Sequence, residues 1–129
     1  MKDNYTYAAL ISEEDGTNIV DFPAFNNFVI DVPNEDDLIT SAQDALASRI
    51  IDMEKYGESI PEDVSVIPKN NEKVIYINVW LPYHRAKIVE TYTKKTLTIP
   101  TYIDLLAKAN GINFSAVLVK ALKDELGIN

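Results

Sequence analysis

The sequence predicts an α+β protein: a sheet with one covering helix over most of the chain, then a short strand-helix-helix tail. Two observations carry the class. Between Tyr5 and Val32 three short runs rich in aromatic and aliphatic residues, the last of them alternating, stand between turn signals, as strands require, whereas residues 34 to 57 and 101 to 127 space their apolar positions by three and four, as helices require. A third observation, charge, divides the chain. Its net -8 splits into -11 over residues 1 to 82 (5 Lys/Arg against 16 Asp/Glu) and +3 over residues 83 to 129 (7 against 4).

Tyr5 to Ser12 is the first strand, rich in aromatic and aliphatic residues, and Glu13-Glu14-Asp15-Gly16 turns it, because Asp-Gly is a hairpin signal. Asn18 to Phe22 returns as the second strand, across a loop expected to be somewhat longer than two residues, and Pro23 ends it. Phe28, Ile30 and Val32 alternate with Val29 and Asp31 up to Pro33, completing an antiparallel meander. Asn34-Glu35-Asp36-Asp37 then opens a helix, with Asn34 as the expected N-cap and the three carboxylates in the first turn, where the helix dipole favours them. Leu38, Ala42, Ala45, Leu46, Ile50, Met53 and Tyr56 form its apolar stripe up to Gly57, enough to cover the meander. A loop through Pro61 leads on to Val74 to Leu81, a fourth strand stopped by Pro82.

Residues 83 to 93 read as a polar, weakly helical connector. Lys94 to Pro100 alternates as a strand, Thr101 caps a helix with Asp104 in capping-box position, and that helix stops at Asn110-Gly111. Asn113 caps the last helix, which lines up Phe114, Val117, Leu118, Ala121, Leu122 and Leu126 before Gly127. A tail of about 36 residues cannot bury a core by itself, so it is expected to borrow one from an identical tail, the strands pairing antiparallel over interlocked helices. The expected division is residues 1-82, a connector at 83-93 and a tail at 94-129.

Composition excludes several classes. The chain has no cysteine, so disulfide scaffolds, thiolate zinc sites and thiol nucleophiles are ruled out. Four glycines without a phosphate-binding loop argue against a nucleotide, and no cofactor or metal is expected. No stretch approaches the roughly 20 apolar residues of a membrane span, and a soluble, cytoplasmic protein without membrane contact is the expectation. His84, the single histidine, has no carboxylate within five residues and no second histidine, and is expected at the surface or in the connector. Trp80, Tyr83, Phe25 and Phe28 are expected in the core rather than as a stacking platform for single-stranded RNA, because the surrounding acidity opposes phosphates.

The order of these features resembles a known family. The hairpin, Asp21-Phe22-Pro23, the short strand, the Asn34-Glu35 helix opening and Gly57-Glu58-Ser59-Ile60-Pro61 are similar to the HicB antitoxins of bacteria. Lys94-Lys95-Thr96-Leu97-Thr98-Ile99-Pro100 with Gly111-Ile112-Asn113-Phe114-Ser115 resembles the ribbon-helix-helix module that many members carry. Together the two matches span most of the chain. The resemblance implies a truncated RNase H-like toxin-binding domain in 1-82 and a dimerising, DNA-binding module in 94-129. It implies three partners: a small basic RNA-cleaving toxin of the HicA type, the operator DNA of the pair's own operon, and further copies of the chain as a homodimer or higher oligomer. An acidic body complements such a toxin and raises the association rate by about 10- to 1,000-fold at low salt. The expected toxin contact is the acidic rim of Glu13, Asp15, Asp21 and Asp31.

Leu97 and Ile99 share one strand face, so Lys94, Thr96 and Thr98 take the other, which in a ribbon-helix-helix dimer enters the major groove. Asn113 and Ser115, at the start of the last helix, stand where backbone N–H groups meet a phosphate, and Phe114 stands where many such modules carry a basic residue. Two readings compete: a ligand-sensing ribbon-helix-helix regulator without a toxin, and an RNase H-like hydrolase. Hydrolysis of that kind needs several carboxylates converging on metals about 4 Å apart. Asp15 lies in a turn, Asp21 and Asp31 lie near strand ends, and Glu35, Asp36 and Asp37 serve a helix start, so no catalytic residue is expected.

Overall fold

A computed structural model describes residues 2–90 and 92–129; Met1 and Thr91, the latter inside the expected connector, lie outside the described residues. The chain divides into two compact units, with the break after residue 91.

In the first unit β1 (Asn4–Glu14), β2 (Thr17–Asp21), β3 (Val29–Pro33) and β4 (Lys73–Trp80) form an antiparallel sheet in the order β3-β2-β1-β4. The β1–β2 hairpin is tighter than expected: Glu14 pairs with Thr17, leaving a loop of only Asp15 and Gly16 at φ 51° and 76°. Both central residues are left-handed, as in a type I′ turn, whose twist matches that of the flanking strands. Glu13 and Glu14 are polar enough to resemble loop, yet they stay in the ladder at its exposed end.

Register sets the core. Tyr5, Tyr7, Ala9 and Ile11 alternate onto one face of β1, across from Val79 and Ile77 on β4 and Val20 on β2, and are buried with Ala42, Leu46, Ala47 and Ile50 of α1 (Leu38–Lys55). Phe22, Phe25 and Phe28 close the β2–β3 end. Leu46 and Ile50 are fully enclosed, and each burial of this kind stabilises by about 1.5–3 kcal/mol. The N-cap of α1 is Asp37, which accepts from Thr40 N–H at 3.1 Å, not Asn34. Asn34 instead accepts from the Asn18 side chain at 3.0 Å and donates its N–H to Gly16, tying the end of β3 to the hairpin. Asp36 N–H bonds Pro33 in a turn, so Glu35 and Asp36 precede the helix rather than lie in its first turn.

Residues 83 to 89, expected as connector, belong to α2 (Leu81–Val89), which also takes Leu81, expected as the end of the fourth strand. Pro82 read as a stop; it lies in the first turn of the helix, where its missing N–H costs nothing. Leu81 is fully buried and its N–H donates to Asp3 at 2.8 Å. Arg85 bridges Asp3 at 2.9 Å and Glu54 at 2.8 Å, fastening α2 to the start of the chain and to the end of α1. His84, expected at the surface or in the connector, lies in the connector's residues but is only 9% exposed and packs edge-on against Tyr83. The first unit therefore reaches past residue 82 to about 90, because the side chains of α2 complete its core and its ion pairs.

Tyr7 shows how tightly the loop after α1 is held. Its hydroxyl donates to Pro61, and Asp63 accepts the Ala8 N–H at 3.1 Å. Burial, helped by Tyr5 and the carboxylates of Asp63 and Glu62, pushes the Tyr7 phenol up to about 12. The unfolded phenol ionises near 10, so the stabilisation is whole below that pH and is lost as pH rises through the folded value. Urea midpoints measured from pH 9 to 12 should fall more steeply for the wild type than for Tyr7→Phe; parallel curves would mean that another group titrates.

The second unit contains α3 (Thr101–Ala109) and α4 (Phe114–Leu126). Residues 92 to 100 form no hydrogen-bonded strand within the single chain. α3 starts one residue earlier than its expected cap allows: Pro100 holds the N-cap position, without a side-chain hydrogen bond, and Thr101 is already helical. Asn113 caps α4 as its position requires, accepting from Ala116 N–H at 3.0 Å, and Gly127 ends it in the left-handed region.

Candidate functional site

Cross-strand partners share a sheet face. Asp21 stands opposite Leu10 and Val29, and Asp31 stands opposite Ile19. By alternation all of these lie on the face away from α1, since Val20, paired with Ile11, faces the core. The structure therefore brings Asp21 and Asp31 together as diagonal neighbours on β2 and β3, beside the exposed side chain of Val29. Glu13, paired with Asn18, points to the opposite face, and Asp15 occupies the hairpin tip. The four acidic candidates share one end of the sheet without forming one patch. Among the described residues no three His, Asp or Glu side chains gather as a metal would require.

Trp80 and Tyr83, expected in the core with Phe25 and Phe28, are 56% and 39% exposed, whereas the two phenylalanines are buried. Trp80 sits on the open face of β4 because Val79 and Ile77 take the inward positions. Alternation along Val74 to Trp80 carries that signal in the sequence. His84 Nδ1 lies 3.7 Å from Asp44 of α1, and Lys87 Nζ lies 3.6 Å from the same carboxylate oxygen. Burial pushes the imidazole below its ordinary value against the pull of Asp44, and Lys87 adds to the fall. Forty residues separate His84 from Asp44 in the chain, so no local motif marks the pair.

In the second unit the strand candidates are all exposed, Lys94, Thr96 and Thr98 on alternate positions, with Leu97 at 63% and Ile99 at 47% between them. Leu97 and Ile99 line a groove of about 660 Å³ with Ile103, Phe114, Val117 and Leu118. Phe114 thus faces apolar neighbours rather than the place of a phosphate, and Ser115 and Asn113 remain exposed at the start of α4. No described residue of this unit is fully buried. Water on this much apolar surface is unfavourable by about 25 cal/mol per Å².

No family model matches the sequence, and no curated protein matches it as a relative. Among solved structures, a chain of a toxin–antitoxin complex from Streptococcus pneumoniae is similar, with a TM-score of 0.55 and 21% identity over 95% of this chain and 99% of that one. The likeness is one of fold, and the described residues of this chain form an α+β arrangement with a four-stranded antiparallel sheet and four helices.

Proposed function

We propose that the chain is a HicB-type antitoxin. Its first unit, a truncated RNase H-like domain, masks a small basic RNA-cleaving toxin of the HicA type without itself being an enzyme. Its tail pairs with a second tail as a ribbon-helix-helix dimer that binds operator DNA and represses the operon. The observation that carries the reading is the likeness, over nearly the whole length of both chains, to a component of a toxin–antitoxin complex. Charge supports the assignment of roles, since the acidic body repels nucleic acid and attracts a basic protein. The tail's uncovered groove supports pairing with an identical tail, which supplies the missing half of the core.

Asp21 and Asp31 lie at the centre of the toxin contact, with Glu13 and Asp15 at its margin. The position of α2 fixes the fragment that tests this. A cut at residue 82 removes His84 and Arg85, so the fragment must run to residue 91. That fragment should restore growth during expression of a small basic HicA-type toxin encoded beside the gene, if the neighbouring reading frame encodes one; rescue by the full-length chain alone, with the fragment folded, would move masking to the tail. In the full chain, Asp21→Lys with Asp31→Lys should slow association and flatten its salt dependence. An unchanged rate would place the contact elsewhere.

A further inference from the structure

We propose that the open edge of β4 is a second self-association surface, taking β4 of another copy in an antiparallel pair that joins the two sheets into one. β4 is one of the two edge strands of the sheet, opposite β3. Ala8 turns its N–H away from β4 toward Asp63, so its partner Tyr76 likewise turns its backbone groups away from β1. By alternation Val74, Tyr76, Asn78 and Trp80 present N–H and C=O groups to the open side. Their register with β1 runs without a break from Lys73 to Trp80. Within 74 to 80 there is no proline and no charged residue, and Lys73 at the start of β4 is the strand's one charge, so most of the edge lacks the devices that keep edge strands from pairing. The Gln43 side chain covers one carbonyl, that of Asn78, at 2.9 Å, and a partner's N–H replaces it on pairing.

Charge selects the occupant. Residues 73 to 89 carry none of the chain's 20 carboxylates, and the three that reach them from elsewhere, Asp3, Glu54 and Asp44, are paired with Arg85, Lys87 and His84, whereas Asp21 and Asp31 lie on the β2–β3 side of the sheet and Glu35, Asp36 and Asp37 follow β3. A basic partner is drawn to the β3 side, and a second acidic copy is repelled least at β4. The strand also matches itself. Outward residues must meet outward residues, so a two-fold pair is centred on residue 76, 77 or 78, and in the last case each Tyr76 faces the Trp80 of the other copy. These side chains are 65% and 56% exposed, and aromatic cross-strand pairs of this kind stabilise sheets. The inference stands on the edge itself and does not need the toxin reading.

The cysteine-free chain makes the test direct. Full-length Tyr76→Cys, full-length Asn78→Cys and an equal mixture of the two report the registers centred on 76, 78 and 77, since directly opposed residues meet at a disulfide's span. Under mild oxidation one of the three preparations should form covalent dimer at least about tenfold faster than Val29→Cys on β3, because pairing raises the local thiol concentration. If none outpaces Val29→Cys, the edge does not pair and the proposal fails.

Discussion

Leu97→Asp, in a full-length chain whose β4 edge is also closed by Tyr76→Lys, should leave a monomer by light scattering where Tyr76→Lys alone leaves a dimer. Leu97 is 63% exposed in the single chain and lines the groove with Ile99, Ile103 and Phe114. A second tail covers that groove only if it brings an equivalent apolar ribbon, so the two Leu97 side chains of a dimer enter the same core. Lys95 and Lys108 also border the groove, Lys108 already paired with Asp104 at 3.0 Å and Lys95 exposed to water, so an aspartate buried between two tails gives up water without a committed partner. The penalty for burying an unpaired carboxylate is several kcal/mol per ion, and it applies twice. At about 1.4 kcal/mol for each tenfold in affinity, pairing weakens by more than about a thousandfold. The first unit should keep its thermal transition, because its core contains no tail residue. A dimer that survives both changes would mean that the tail packs in some other way.

The first unit was legible where hydrophobic period decides structure. β1, β3 and α1 follow their apolar patterns, and Asp15-Gly16 marks the hairpin where its left-handed residues are needed. Two misreadings share a cause: a local signal was given more weight than its position allows. Pro82 stops a strand but also starts a helix, and only the burial of Leu81 and His84 against the rest of the unit decides which role it takes. Asn34 and Asp37 are both good N-caps; the turn at Pro33 and the bond from Asn18 commit Asn34 to the hairpin, leaving the helix to Asp37.

The candidate surfaces divide in the same way. Acidity was readable as a sum, but the sum does not say which face each carboxylate takes. A one-residue step in parity puts Glu13 on one side of the sheet and Asp21 on the other. Phe114 looked like an empty place for a phosphate contact when read by position alone, and the groove assigns it to apolar packing instead. The Asp3–Arg85–Glu54 bridge joins the two ends of the first unit and is invisible to any local pattern.

Replacing Lys94, Thr96 and Thr98 together with alanine should abolish operator preference while leaving toxin neutralisation and tail pairing intact. All three are exposed, and none lines the groove that holds Leu97 and Ile99. When two such segments pair as a ribbon, the groove side is covered by helices, and the three side chains are left on the outward side, at the width of a major groove. Lys94 should account mainly for affinity and salt dependence, as a phosphate or guanine contact does, and the threonines mainly for sequence choice, at about 1–3 kcal/mol for each good base contact. Two-fold symmetry makes every contact count twice. Lys120 and Lys123 provide the comparison. Lys120 stands at the middle of α4, already paired with Asp124 at 3.2 Å, and Lys123 in its last turn, so their replacement should change binding only slightly. Gel shifts on the promoter upstream of the gene, run at two salt concentrations, separate the two sets: the triple variant loses discrimination between operator and random DNA, and the helix variants keep it. Full discrimination by the triple variant would move base reading from the ribbon to the helix pair, with α4 entering the groove.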